Sequence, residues 1–253
     1  MTLDHYVITL DVDWASDEVI AHCAEILVAN AVKATWLVTH DCSAVGALSR
    51  RDDLFELGIH PNFHAGSTQG DEPRAVLDHL AAIVPQARSV RTHGLYQSTE
   101  LLRLMLGDYG IENDLSLLLP DTPGITPHEF HLPEGVLRRF PTFWEDDAEM
   151  LRPQPSFSLD DARYHVAGLK IFTFHPVLVA LNARSLEPYQ RLKREHDISR
   201  ATLDDLAPYA NDSGPGDGTF FRELVAHVGS GAAGPSLTVS ELARAWMESR
   251  DDE

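Results

Sequence analysis

Residues 6–13 read YVITLDVD, an apolar, β-branched run from Tyr6 to Leu10 that ends in two aspartates, Asp11 and Asp13. Valine, isoleucine and threonine favour extended backbone, so residues 6–13 read as a strand. Residues two apart on a strand point to the same side. Two carboxylates side by side at the end of an apolar strand are costly unless a cation compensates them. A divalent metal would do so, with one aspartate as a ligand. The alternative is a surface turn, in which Asp17 and Glu18 continue an acidic helix start.

Outward from this strand, short β-like runs alternate with helical stretches. Residues 17–30 carry Val19, Ile20, Cys23, Ile26 and Leu27 at helical spacing behind Ser16 or Asp17 as N-cap. Residues 34–39 (ATWLVT) form the next strand, and residues 57–59 a third. Glu72 to Ile83 is helical, with Pro73 in its first turn. Residues 89–92 and 101–109 give another strand and helix, and residues 113–118 a further strand. The proline-dense stretch 120–155 predicts an irregular excursion. Residues 169–174 (LKIFTF) form a late strand, followed by helices at 187–195 and 203–209 and a loop at 211–218. From about residue 200 the chain closes with helices, at 220–227 and 239–249. Alternating β and α elements predict a parallel sheet with helices outside, and 253 residues suit one α/β barrel as a single domain, 1–253.

Composition narrows the functional classes. A hydrophobic content of 43% supports a substantial buried core. No apolar run of about 18 residues is present, so no membrane span is expected. The N-terminus lacks a basic, signal-like region, which makes a cytoplasmic location the default expectation. A net charge of -19 disfavours nucleic acid as a partner. Cys23 and Cys42 are too few for a disulfide framework and read as reduced thiols. The sequence contains neither a G-x-S-x-G elbow nor a phosphate-binding glycine motif.

The polar residues of interest sit at predicted strand ends, where α/β barrels gather their active sites. His60 and His64 lie four apart around Pro61, and on one helical turn both imidazoles reach one ion. With 13 histidines in the chain, a chance pair of solvated or capping histidines is the alternative. Arg91 follows a short strand and suits pairing with one of the aspartates. His93, two residues on, contacts substrate or that network, or is simply a loop histidine. His175 leaves an apolar strand before Pro176, a position suited to a general acid or to a satisfied histidine at a strand end. Trp144, followed by Glu145, Asp146 and Asp147, suits sugar stacking or a loop anchor. Trp14 is a further candidate for the pocket lining.

These segments, in this order, resemble the NodB-type polysaccharide deacetylases of the carbohydrate esterase family 4 superfamily. Asp11-Val12-Asp13 resembles an Asp-x-Asp variant of the family's Thr-Phe-Asp-Asp-Gly motif, and His60 to His64 matches its His-x-x-x-His. Residues 34–38 are similar to its Ala-Thr-Phe-Phe-Val strand. Arg91 matches the arginine of the third motif, although His93 replaces the expected proline. Phe172 to Pro176 echoes Leu-x-x-His-Pro. Asp114 is the candidate for the fourth motif, without the usual following tryptophan. The resemblance spans roughly residues 5–180 and extends to a subgroup linked to O-antigen and surface polysaccharide synthesis.

The resemblance implies a distorted (β/α) barrel of about seven strands. It implies a metal, Zn²⁺ or else Co²⁺ or Ni²⁺, held by Asp13, His60 and His64. Asp11 would be the base, fixed by Arg91, and His175 the acid. Asp114, His93, Trp144 and Trp14 would face the substrate. The expected activity is removal of an N-acyl group, acetyl above all, from a sugar or a sugar-containing intermediate. Two other readings stay open: a C–N hydrolase of a small linear or cyclic amide, and a non-catalytic sugar-binding relative. The retained acid/base set argues against the last.

Overall fold

The computed structural model describes residues 4–251. Its elements run β1 (Tyr6–Asp11), α1 (Asp17–Ala29), β2 (Ala34–Val38), α2 (Ser43–Leu48), β3 (Phe55–Ile59), α3 (Pro73–Ile83), β4 (Ser89–Val90), α4 (Thr99–Tyr109) and β5 (Asn113–Asp114). They continue as β6 (His128–Leu132), β7 (Gly135–Arg139), β8 (Trp144–Glu145), α5 (Asp146–Met150), β9 (Lys170–Phe174), α6 (Pro176–Ala180) and α7 (Glu187–Glu195). The chain closes with α8 (Leu203–Leu206), α9 (Asp217–Gly229) and α10 (Val239–Asp251).

The strands form one nine-stranded sheet in the order β6-β7-β5-β4-β3-β2-β1-β9-β8. Among the described residues, only the β6–β7 pairing is antiparallel. β7 and β8 belong to one extended stretch, residues 135–145. Its first half pairs with β5, and its second half with β9. Between them, Thr142 N donates to Leu117 O and Phe143 N to Ile171 O. The sheet therefore curls back on itself as a distorted barrel, and with β7 and β8 as one stave the ring is β1, β2, β3, β4, β5, β7/β8 and β9.

The expected irregular excursion is corrected here. Residues 128–139 form a β-hairpin and residues 146–150 a helical turn. The prolines fall outside these elements, in the loop at 120–127, at Pro133 and Pro141, and at Pro153 and Pro155 after the helical turn, where no ladder needs their missing N–H.

β1, β2 and β9 are buried along their whole length, as expected of parallel strands covered on both faces. Tyr6, Ile8 and Leu10 face one side of β1, with Phe172 and Phe174 of β9 at register with Ile8 and Leu10. Thr9 and Asp11 face the other side, where Thr9 Oγ1 meets Thr173 Oγ1 at 3.1 Å. The end of the barrel away from the carboxyl ends is closed by α10. There Val239 N donates to Thr35 Oγ1, and Ser240 and Ser89 hydroxyls donate to Glu56. β3 and β4 pack so closely that a Cβ on Gly58 would stand 2.4 Å from Ser89 O. No helix among the described residues is long and apolar enough to cross a membrane.

Candidate active site

β1 hands over to α1 through a tight turn, Val12 to Ala15, closed by Ala15 N donating to Val12 O at 2.9 Å. Its central residues, Asp13 (φ 43°) and Trp14 (φ 57°), are both left-handed. That conformation costs a non-glycine residue about 1–2 kcal/mol, and such strain is typical of functional sites. Trp14 N donating to Thr39 Oγ1 helps hold the turn. Asp11 thus ends the strand, and Asp13 reaches the same site from the turn and not from the strand itself.

Three loops at the carboxyl ends of neighbouring strands are stitched in register. His60 N donates to Val38 O, Arg91 N to Ile59 O, and His93 N to Pro61 O. Gln69, buried, accepts from Asn62 N and donates to Thr39 O and His60 O. Asn62 Oδ1 in turn accepts from His64 N. These side-chain bonds replace helical ones, so the helical turn expected at residues 60–64 is absent. With it goes the reason for both imidazoles to share a face. His64 is exposed, and its ring lies 5.3 Å from that of Tyr96 and 6.3 Å from that of His93. Gly94 (φ 62°) gives it room, because a Cβ there would stand 3.0 Å from His64 Nε2.

His93 occupies the place that the spacing argument gave to His64. Asp13 Oδ1 lies 3.2 Å from His60 Nε2 and 3.1 Å from His93 Nδ1. The two nitrogens are 3.3 Å apart. Ligands held at about 2.0–2.1 Å by a tetrahedral cation stand about 3.3–3.4 Å from one another, so this donor triangle fits a zinc-type ion. Burial pushes the Asp13 carboxyl up, but hydrogen bonds from His60 and His93 outweigh it and hold it well below the usual range. The Asp13 hydrogen bond likewise raises His93, against the opposing effect of burial. His60 Nδ1 is buried without a hydrogen-bond partner and faces Asp11 Oδ2 at 3.7 Å.

Behind this triangle, Arg91 Nη1 donates to Asp11 Oδ1 at 2.7 Å. Its Nη2 donates to Thr9 Oγ1 and Thr142 Oγ1 at 3.0 and 3.1 Å. The guanidinium is fully buried inside the barrel, and it fixes the Asp11 carboxylate in one orientation.

On the opposite side, the parallel pairing of β8 with β9 brings Asp146 beside His175. Asp146 Oδ1 lies 2.6 Å from His175 Nδ1, and Asp146 Oδ2 accepts from His175 N. This leaves Nε2 facing Asp13 Oδ2 at 3.6 Å. Burial alone would lower His175, but the charge and hydrogen bond of Asp146, with the charges of Asp13 and Asp147, raise it well above its ordinary value. Donor atoms of Asp11, Glu145 and His175 lie within 4.8 Å of one another. Glu145 is pushed up by burial and by the charge of Asp147. Asp217 lies beyond Asp146, fully buried and pushed up first by burial and then by Asp146.

Two expected substrate contacts lie elsewhere. Trp144 is core: its ring packs on Phe174 at 5.1 Å and Phe220 at 4.9 Å, and so offers no face to a sugar. Asp114 is fully buried in a structural contact, accepting from Arg139 Nε and Ser116 N. Trp14 does border the site, edge-on to His93 at 5.5 Å. Sequence reasoning placed Glu145 and Asp146 only beside a sugar, and it did not single out Asp217 or Gln69. In the sequence the acids of the run Trp144 to Asp147 read as acceptors for sugar hydroxyls and not as the partner of a distant histidine.

A cavity of about 480 Å³ opens over Asp13, His93, Asp147 and His175. Pro176, Val177 and Leu178 give it an apolar flank, and α7 forms its far wall. A second cavity of about 380 Å³ adjoins it at Asp13, His93, Tyr189 and Lys193 and includes Trp14. Tyr189 stays a neutral hydroxyl, pushed up to about 12 by burial and then by Asp13.

Comparison with known proteins matches this architecture. The family model of the WbmS-like polysaccharide deacetylases matches residues 8–193. The crystal structure of WbmS from Bordetella bronchiseptica, an inferred polysaccharide deacetylase involved in O-antigen biosynthesis, is similar with a TM-score of 0.77 and 31% identity. The match covers 89% of this chain and 91% of that one. An inferred polysaccharide deacetylase from Mycobacterium smegmatis shares the fold, with a TM-score of 0.61, 15% identity, and 97% and 90% of the two chains covered. No curated protein matches the chain. With more than half its length matched by the family model, and a relative of 31% identity covered over most of both chains, the chain belongs to the WbmS-like polysaccharide deacetylases.

Proposed function

We propose that this protein is a metal-dependent N-deacetylase of a sugar or sugar-containing biosynthetic intermediate, acting in the cytoplasm. One observation carries the reading. A three-atom donor set and a histidine held by a buried carboxylate face one cavity through Asp13, His93 and His175, and a carboxylate held by a buried arginine lies directly behind them.

Asp13, His60 and His93 would hold the ion. A divalent metal there would supply a Lewis acid that activates water near neutral pH and polarises the acyl oxygen. Asp11, oriented by Arg91, takes the proton of the attacking water. His175 keeps Nδ1 on Asp146 and delivers a proton from Nε2 to the departing nitrogen, because an amine leaves poorly as an anion. Water adds to the acyl carbon, the C–N bond breaks, and acetate and the free amine result. Pro176, Val177 and Leu178 offer an apolar surface for the acyl methyl group, and Trp14 borders the sugar side.

The test is acetate release from a panel of N-acetylhexosamine derivatives, run with added Zn²⁺ and again after chelation. The reading expects release that chelation abolishes and that Asp11→Asn abolishes with bound metal retained. Release insensitive to both treatments, or no release from any member of the panel, would refute it.

A further inference from the structure

The wall opposite the catalytic groups is one face of α7. Leu186, Tyr189, Gln190, Lys193 and Arg194 recur at helical spacing and all line the main cavity. The other charges of this helix are occupied: Arg191 pairs with Glu187, and Glu195 accepts from the Tyr209 hydroxyl. Lys193 and Arg194 have no carboxylate within ion-pair distance among the described residues. Lys193 Nζ lies 5.1 Å over the Tyr189 ring, a contact that leaves its three N–H donors free. Lys193 also borders the adjoining cavity, with His196. The one carboxylate that lines only that second space, Asp197, is turned to Ser199, whose N and Oγ donate to its Oδ1.

The setting makes this pair notable. The chain carries 39 acidic against 20 Lys and Arg residues, and the cavity floor itself presents Asp13 and Asp147. Cations in such a chain are readily paired, yet two unpaired ones stand side by side on the wall of the catalytic cleft. Their position in the last turn of α7 also suits the helix dipole. That role calls for positive charge at the helix end but not for its placement on the cavity wall.

From this we infer that the substrate carries an anionic group, a phosphate or a carboxylate on the sugar, which Lys193 and Arg194 bind while the acylated nitrogen lies at His175. The inference rests on the deacetylase reading and names its substrate class. A phosphate would come from a sugar phosphate or a nucleotide-linked sugar, a carboxylate from a uronic acid.

Binding separates the two ideas from each other, because it needs no turnover. In an Asp11→Asn background, calorimetry would compare N-acetylglucosamine, N-acetylglucosamine 1-phosphate and N-acetylglucosaminuronic acid. At least one anionic sugar should bind about 10- to 100-fold more tightly than the neutral one, the scale of charge-assisted hydrogen bonds. Adding Lys193→Ala and Arg194→Ala should abolish that preference and leave affinity for the neutral sugar unchanged. The stronger anionic arm identifies the source of the charge. Equal binding of all three sugars, no binding of any, or a preference that survives the double substitution overturns the inference, as does a variant that only lowers the melting temperature. A preferred anionic sugar that releases no acetate from the wild-type protein would leave the anion site standing and defeat the deacetylase reading.

Discussion

Replacing Arg91 with methionine keeps most of the side-chain bulk and removes the cation. Asp11 is then left as an unpaired carboxylate, 1% exposed, inside the barrel. Thr9 and Thr142 lose their guanidinium partner as well. Deleting one member of a buried ion pair costs about 3–5 kcal/mol, most of it the penalty on the charge left behind. For a chain of this size each kcal/mol moves the melting temperature by roughly 2–4 °C, so Arg91→Met should melt about 6–20 °C lower. The cost belongs to the orphaned charge, and neutralising that charge should return much of it. Asp11→Asn combined with Arg91→Met should therefore be more stable than Arg91→Met alone. The assay is a double-mutant cycle by urea denaturation, run with chelator so that bound metal does not contribute. Two single-mutant losses that simply add, with coupling under about 0.5 kcal/mol, would refute the pairing.

Other outcomes follow from the same contacts. Asp146→Asn should lower turnover about 10²- to 10⁴-fold, the range for general acid catalysis, with metal content unchanged; a rate within twofold of the parent would remove Asp146 from the account. Phe220→Ala, which opens the cluster of Trp144, Tyr164, Phe172 and Phe174, should cost about 3–5 kcal/mol in urea; a loss below 1 kcal/mol would mean the core is packed differently. The Cys42 thiol is pushed up to about 11 by burial, so at pH 8 it should carry roughly two-hundredfold less thiolate than a free cysteine. Ellman's reagent should label it correspondingly slowly, at a rate that climbs with pH toward 11; rapid labelling at pH 8 would contradict that environment.

The barrel was legible because its strands and helices carry strong local patterns. α1, β2 and α7 fall within a residue of where the sequence placed them, and β1 starts as expected but ends at Asp11, two residues short, because the chain turns left-handed at Asp13. The β6–β7 hairpin was not visible, since His128 to Leu132 is half exposed and lacks the apolar alternation that marks a covered strand. The site was legible as a set of strand ends, and Asp11, Asp13, His60, Arg91 and His175 do meet. What spacing alone could not supply is His93, the third corner of the triangle with Asp13 and His60. His60 and His64 are neighbours in sequence, whereas His60 and His93 are neighbours only because β3 pairs with β4. Asp146 was hidden in the same way, reaching His175 through the β8–β9 pairing across 29 residues. Trp144 misled because an aromatic beside acids looks the same in sequence whether its ring faces a sugar or the core.

Metal content decides the central claim most directly. Protein loaded with Zn²⁺, dialysed and measured by elemental analysis should hold about one equivalent. Asp13→Ala, His60→Ala and His93→Ala should each lose most of it, while His64→Ala keeps it. A wild-type protein that retains no metal, or Asp13→Ala and His60→Ala variants that retain it in full, would contradict the account.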